Sequence, residues 1–221
     1  MSKISVLIPT YNRQGMIREA IRSIQEQTHQ DFEIIIVDDG STDGTEKSIR
    51  GLSDSRIIYS KVEHRGVAAA RNTAMRLATS KVACWQDSDD LSSKYRLERM
   101  LKFLNKTKAI CVGCSCKFFK EPLTGKLYHQ LVHTEPGHLI KKMGFASAMF
   151  LIDSVPHFLE ELVIGGEDAQ WLGQIRRDTT IPTLSDVMYH VRYHIARITH
   201  QRKDPKNRAL IAACNRLRRS S

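Results

Sequence analysis

Apolar and polar positions along this chain follow two different periods. Lys3–Pro9 carries Ile4, Val6, Leu7 and Ile8 in a run closed by proline, the pattern of a buried strand. Tyr11–Gln14 then reads as a loop. Apolar residues at Met16, Ile17, Ala20, Ile21 and Ile24 recur at helical spacing, so a helix follows. Phe32–Val37 is nearly continuous in branched apolar residues, as a parallel strand covered on both faces requires. It ends in Asp38-Asp39-Gly40-Ser41-Thr42-Asp43-Gly44, a run of turn formers. Thr45–Leu52 reads as a short helix and Arg56–Ser60 as a third strand. Gly66 opens a helix through Ala78, with Val67, Ala70, Ala74 and Leu77 on one face. Val82–Trp85 is a fourth strand, ending at Asp87-Ser88-Asp89-Asp90.

Strands alternating with helices imply an α/β fold, a Rossmann-like open sheet with right-handed crossovers and helices on both faces. In such sheets ligands bind beyond the carboxyl ends of the strands. The polar clusters fall at those ends: Pro9–Asn12, Asp38–Asp39 and Asp87–Asp90 should converge on one crevice. After Asp90 the alternation weakens. Tyr95–Leu104 reads as a helix, Ile110–Phe119 as a strand, and the stretch to Gly144 is broken by glycine and proline. Phe145–Ile152 reads as another strand and Asp168–Ile175 as a helix. The expected organisation is a single domain whose halves are residues 1–100 and 101–200, with a basic, partly helical tail at 201–221.

Composition narrows the class. The chain has 221 residues, 41% of them hydrophobic, enough for one core. Its apolar runs fall well short of the about 20 residues a membrane span needs, and no leader stands out, so a cytoplasmic protein is the default. Five cysteines, an odd number, suit a reducing compartment. Cys111-x-x-Cys114-x-Cys116 lacks the second ligand pair of a structural zinc site, and small residues in a strand explain it better. Net charge is +10, concentrated towards the end, which suits an anionic partner: nucleic acid, an acidic membrane surface or a phosphorylated substrate.

Asp87-x-Asp89 is the feature closest to chemistry. Solvated surface turns are rich in aspartate, but this pair closes a strand and faces the crevice, where two carboxylates suit Mn²⁺ or Mg²⁺. Around it, five blocks resemble the large inverting family-two glycosyltransferases, whose fold is GT-A. They are Ser5-Val6-Leu7-Ile8-Pro9-Thr10-Tyr11-Asn12-Arg13, Ile34 through Thr45, Gly66-Val67-Ala68-Ala69-Ala70-Arg71-Asn72, Gln86-Asp87-Ser88-Asp89-Asp90, and Gly165-Gly166-Glu167-Asp168-x-x-Trp171. In order, they cover roughly the first 175 residues.

The resemblance implies a nucleotide-sugar-binding half over 1–100, an acceptor-side half over 101–200, and a role for each matching residue. Pro9, Tyr11, Asp38 and Asp39 would hold the nucleotide, with Tyr11 on the base face and Asp39 accepting from a base N–H; Tyr11 could equally be a half-buried packing ring. Arg71 would reach the base or diphosphate, the alternative being a surface arginine. Asp87 and Ser88 would meet the ribose, and Asp87 and Asp89 the metal. Asp168 would be the general base on the acceptor hydroxyl, with Glu167 supporting it and Trp171 forming an apolar platform for the acceptor sugar. Glu167 and Asp168 would also suit a plain helix N-terminus. Arg192 and His194, on a pattern like the family's Arg-x-His, would close over the diphosphate, His194 near the metal; a structural histidine is the competing reading.

Two features depart from the family pattern: Gln86 stands where an apolar residue is common, and 148–163 lacks the glycine-rich turn before the acidic block. The resemblance implies a UDP-sugar donor, with dTDP and GDP open, and a saccharide or lipid-linked acceptor. It suits polysaccharide or glycoconjugate synthesis at the inner face of a membrane, which the basic tail could touch. A sugar nucleotidyltransferase is the enzymatic alternative, but 9–13 has no glycine-rich phosphate loop. A basic nucleic-acid-binding protein is the non-enzymatic one, and sparse aromatics beside an acidic crevice argue against it.

Overall fold

The computed structural model describes residues 2–137, 145–160 and 167–193. Four parallel strands form its first half: β1 (Ile4–Thr10), β2 (Phe32–Asp38), β3 (Ile57–Lys61) and β4 (Val82–Trp85), side by side as β3-β2-β1-β4. Then β5 (Leu91–Ser92), β6 (Cys111–Lys120), β7 (Met149–Leu151) and β8 (Thr183–Tyr193) continue the sheet as β4-β7-β6-β8-β5. Strand β7 runs antiparallel to β4 and β6, β8 parallel to β6, and β5 antiparallel to β8. The sheet is therefore mixed, as expected of the GT-A class.

Each residue of β1 and β2 is buried, so their apolar runs serve both faces. Helix α1 (Ile17–Gln25) sinks Ile17, Ala20, Ile21 and Ile24 into the core; α2 (Thr45–Arg50) is a single short turn. Helix α3 (Val67–Leu77), packed on β1 and β2, is rotated from the expected face. Leu77 is 37% exposed and Val67 only half-buried, while Ala68, Arg71, Asn72 and Met75 point inward. Ala70 and Ala74 are buried as expected, and Arg71 and Asn72 join them for a reason that appears only at the site.

Three elements depart from the pattern reading. Helix α4 (Arg96–Thr107) is followed, after β6, by α5 (Gly125–His133), which occupies part of the glycine-interrupted stretch and is capped by the Thr124 hydroxyl accepting from Leu127 N–H. The expected strand 145–152 is instead a 3₁₀ turn, Phe145–Ser147, and the short β7. Strand β8 is long, and α6 (Glu167–Asp178) precedes it. Among the described residues no helix is long and apolar enough to cross a membrane.

At the amino-terminal edge of the sheet, buried Glu33 ties three segments together. Its carboxylate accepts from Lys3 Nζ at 2.7 Å, Ser5 Oγ at 2.6 Å and the Thr79 N–H and hydroxyl at 2.8 and 2.7 Å. Burial opposes its charge, but these donors outweigh burial and draw its pKa down to about 2. A lowered folded pKa stabilises the fold above the unfolded value and loses that contribution as pH falls through the folded one. Glu33→Gln is expected to cost about 1–3 kcal/mol at neutral pH by chemical denaturation. The gap from wild type should close as pH drops from about 4.5 towards 2.

Candidate active site

Strands β1 and β2 end level, with Thr10 opposite Asp38, and their loops meet at once. Asp38 turns inward. One of its oxygens accepts from Ser41 N–H and the other from the Tyr59 hydroxyl, both at 2.8 Å. It builds the turn and is fully buried. Asp39 is clasped by the loop before α3: its oxygens accept from Arg65 and Gly66 N–H at 2.9 Å each, and the His64 ring nitrogen lies 2.9 Å from it. Gly66 holds φ 92° and Gly40 φ 76°, left-handed angles that a side chain resists. At Gly40 an added Cβ would also meet His64 N at 3.1 Å. Pro9 is a buried β1 residue opposite Val37. Tyr11 is 39% exposed and lies flat on the His64 ring, centroids 4.2 Å apart. Its face is therefore stacked on a histidine the sequence reading did not single out.

Strand β4 stops opposite Leu7, and the Gln86–Asp90 loop folds over beyond it. Asp87, Asp89 and Asp90 each offer an oxygen within 4.8 Å of the others. Crowded carboxylates repel and need a positive partner. Arg13 supplies part of it, its Nε 3.2 Å from Asp89 Oδ2. A set of hard oxygens this tight fits Mg²⁺ or Mn²⁺, with Asp87 the most open of the three at 24% side-chain exposure. Ser88 is buried, as is Asp90, which the sequence reading left without a role.

Gln86 explains its own departure from the family pattern. Its amide donates to the carbonyls of Asp87 and Asp90, both at 3.0 Å, and closes the acidic turn. Its carbonyl accepts from Ser92 Oγ at 2.6 Å and Arg96 Nη1 at 3.1 Å. Arg96 is a fully buried cation beneath the loop, and it also donates to the Trp85 and Ala146 carbonyls. Tyr189 on β8 accepts from Asp87 N–H at 2.9 Å.

Arg192, expected to close over a diphosphate, is buried beneath the loop instead. It donates to the Asp89 carbonyl at 2.8 Å and to Glu19 at 2.5 Å, and pairs with Glu121; its own N–H donates to Asp90 Oδ1 at 2.8 Å. The reason is register: β5 and β8 pair beside the acidic loop, bringing Arg192 under it. His194 lies outside the described residues, as do Gly165, Gly166 and the tail.

The first turn of α6 reaches the crevice from the other side. Glu167 is buried, and the Asp168 side chain is 36% exposed. Both meet Arg71, whose Nη1 is 3.2 Å from Glu167 and 2.5 Å from Asp168, with Nη2 3.9 Å from Asp87. Arg71 is thus buried and carboxylate-bound, not a surface arginine. Burial, and next the adjacent Asp168 carboxylate, push Glu167 above the usual range despite Arg71. Trp171, expected as an acceptor platform, lies in the core. It is 0% exposed, stacks on Phe158 at 5.7 Å and donates to the Pro156 carbonyl at 2.8 Å. One turn into α6, its ring faces the core, where it anchors the helix. The cysteines of β6 are buried; burial pushes Cys111 and Cys114 up to about 12, the state of inert thiols.

Residues 5–163 match the family model for glycosyl transferase family 2. The chain is 46% identical over 155 residues to an uncharacterized glycosyltransferase of Rickettsia conorii, covering 65% of this chain and 26% of that protein. It is 35% identical over 104 residues to the UDP-Glc:alpha-D-GlcNAc-diphosphoundecaprenol beta-1,3-glucosyltransferase WfgD of Escherichia coli, covering 47% of this chain and 41% of that protein. Among solved structures, S. aureus TarS 1-349 in complex with UDP-GlcNAc superposes with a TM-score of 0.69 at 21% identity, over 89% of this chain and 60% of that one.

If Arg192 holds the acidic loop from beneath, Arg192→Met should cost about 2–4 kcal/mol in chemical denaturation, because carboxylates and a carbonyl lose their cation. Glu19→Gln should cost under about 1 kcal/mol, since that carboxylate is partly solvated.

Proposed function

Because the chain belongs to glycosyl transferase family 2, we propose that it moves a hexose from a UDP-sugar to a saccharide hydroxyl with inversion at the anomeric carbon. The observation that carries this reading is the meeting of Tyr11, Asp39 and the Asp87–Asp90 loop with Asp168 across one acidic crevice. TarS is named with UDP-GlcNAc, and WfgD with a UDP-glucose donor and a diphosphoundecaprenol-linked acceptor, which supports a nucleotide donor and a lipid-carried saccharide. The chain spans less than two thirds of each of these proteins, so donor and acceptor are proposals for this one.

On this reading Tyr11 offers its ring face to the nucleobase in place of His64. Asp39 keeps lone pairs beyond the two amides it accepts from, and these take a base N–H. Asp87 and Ser88 face the ribose. Asp89 and Asp87 would hold Mn²⁺ or Mg²⁺, which supplies Lewis-acid neutralisation of the departing nucleoside diphosphate. Asp168, the more open member of its pair, takes the proton from the acceptor hydroxyl as that oxygen attacks the anomeric carbon. Glu167, raised by burial and by its neighbour, supports Asp168 from within the protein, both carboxylates being held by Arg71. The basic tail, outside the described residues, is a weak anchor to anionic lipid at the inner membrane face, where a lipid-linked acceptor would lie.

Binding and turnover separate these roles. Asp89→Ala should abolish the Mn²⁺-dependent part of UDP affinity measured by calorimetry. Asp168→Asn should keep UDP affinity within about twofold and lower kcat by about 10²–10⁴-fold, measured as UDP release from UDP-glucose or UDP-GlcNAc with a GlcNAc-diphospho-lipid. Near-normal turnover of Asp168→Asn would remove the base assignment. Deleting 201–221 should lower co-sedimentation with anionic liposomes about tenfold, with no change on neutral ones.

A further inference from the structure

Arg71 belongs to the third matching block, where the sequence points to a donor contact. The structure surrounds it otherwise. Its guanidinium carbon lies 4.3 Å from the Phe145 ring centroid, 5.3 Å from Phe158 and 5.9 Å from Trp85, inside a box of aromatic rings. Trp171 closes the same cluster, 5.3 Å from Phe145 and 5.7 Å from Phe158, and sits on α6 one turn past Asp168. The planar fork therefore has a fixed orientation, with Nη1 on Glu167 and Asp168 and Nη2 towards Asp87.

We propose that Arg71 is the positioning residue for the acceptor-side base: it fixes the Asp168 carboxylate at the crevice and ties it to Asp87 of the donor loop, and it does not bind the donor. This rests on Asp168 being the base. A guanidinium spanning both loops holds them at one separation, which a hydroxyl attacking the anomeric carbon requires. Burial works against the cation, but Asp168, Glu167 and Asp87 outweigh it and keep Arg71 charged.

The test uses Arg71→Met and Arg71→Lys in the full chain, with circular dichroism confirming that each folds. UDP with MnCl₂ is the binding probe; UDP-glucose or UDP-GlcNAc with a GlcNAc-diphospho-lipid is the turnover probe. Arg71→Met should leave UDP affinity and donor KM within about threefold and lower kcat by about 30-fold or more, the signature of lost orientation. Arg71→Lys, which keeps charge without the fork, should recover at least about fivefold of that loss. Adding Arg71→Met to Asp168→Asn should cost under about threefold further, because both act through one carboxylate. UDP affinity weakened about tenfold by Arg71→Met would overturn the proposal and return Arg71 to the donor. Full additivity with Asp168→Asn would also overturn it. If Asp168→Asn alone retains turnover, the base assignment fails first, and the positioning role with it. If wild type turns over neither donor, the UDP affinity of Arg71→Met decides alone: affinity kept supports the proposal, affinity lost overturns it.

Discussion

Carboxylates buried at the ends of β2 and β4 must each be given a donor or a cation, and the loops around the crevice are shaped by that requirement. Asp38 takes the Ser41 amide and the Tyr59 hydroxyl, and Asp39 takes two amides from the loop before α3. Asp89 takes Arg13, and Asp90 the Arg192 amide. Across the crevice Arg71 serves Asp87, Glu167 and Asp168 together. Apart from the Ser41 amide, each of these bonds crosses between segments far apart in sequence. Satisfying the acids is therefore the same event as docking the loops.

The same requirement accounts for the polar layer beneath the acidic loop. Gln86 could not be an apolar residue here without leaving the Asp87 and Asp90 carbonyls and the buried Arg96 short of partners. Arg96 also rests over the Tyr189 ring at 4.7 Å, and Tyr189 in turn accepts from Asp87 N–H. The loop thus hangs from β8 on one side and from Gln86 on the other. A cluster of like charges gains rigidity from a floor that costs it no freedom of the carboxylates themselves.

The two sides of the crevice are built differently. The side holding Asp39 and Asp87 is parallel sheet, with fully buried strands on either side of β1. The side holding Asp168 depends on α6, anchored by Trp171 in an aromatic cluster with Trp85, Phe145, Phe150 and Phe158. Trp171 pins the helix that carries Asp168, and its indole N–H is spent on the Pro156 carbonyl. The match to glycosyl transferase family 2 spans residues 5–163 and so takes in both β1–β4 and the aromatic residues that receive Trp171.

The first hundred residues were largely legible because their information is local: unbroken apolar runs, helical spacing and turn formers each act over a few neighbours, and the parallel topology follows from their alternation. The convergence of Tyr11, Asp39, Asp87 and Asp89 on one crevice followed from topology too. Strands β5 and β8, helix α5 and the inward face of α3 were not legible, since pairing and burial there are set by partners distant in the chain. For the same reason the resemblance assigned Arg71, Arg192, Asp38 and Trp171 their expected roles without reference to what surrounds them. Only the tertiary structure could show that each already has partners within the protein, because a buried polar group is claimed by whatever neighbour folding brings within hydrogen-bonding reach.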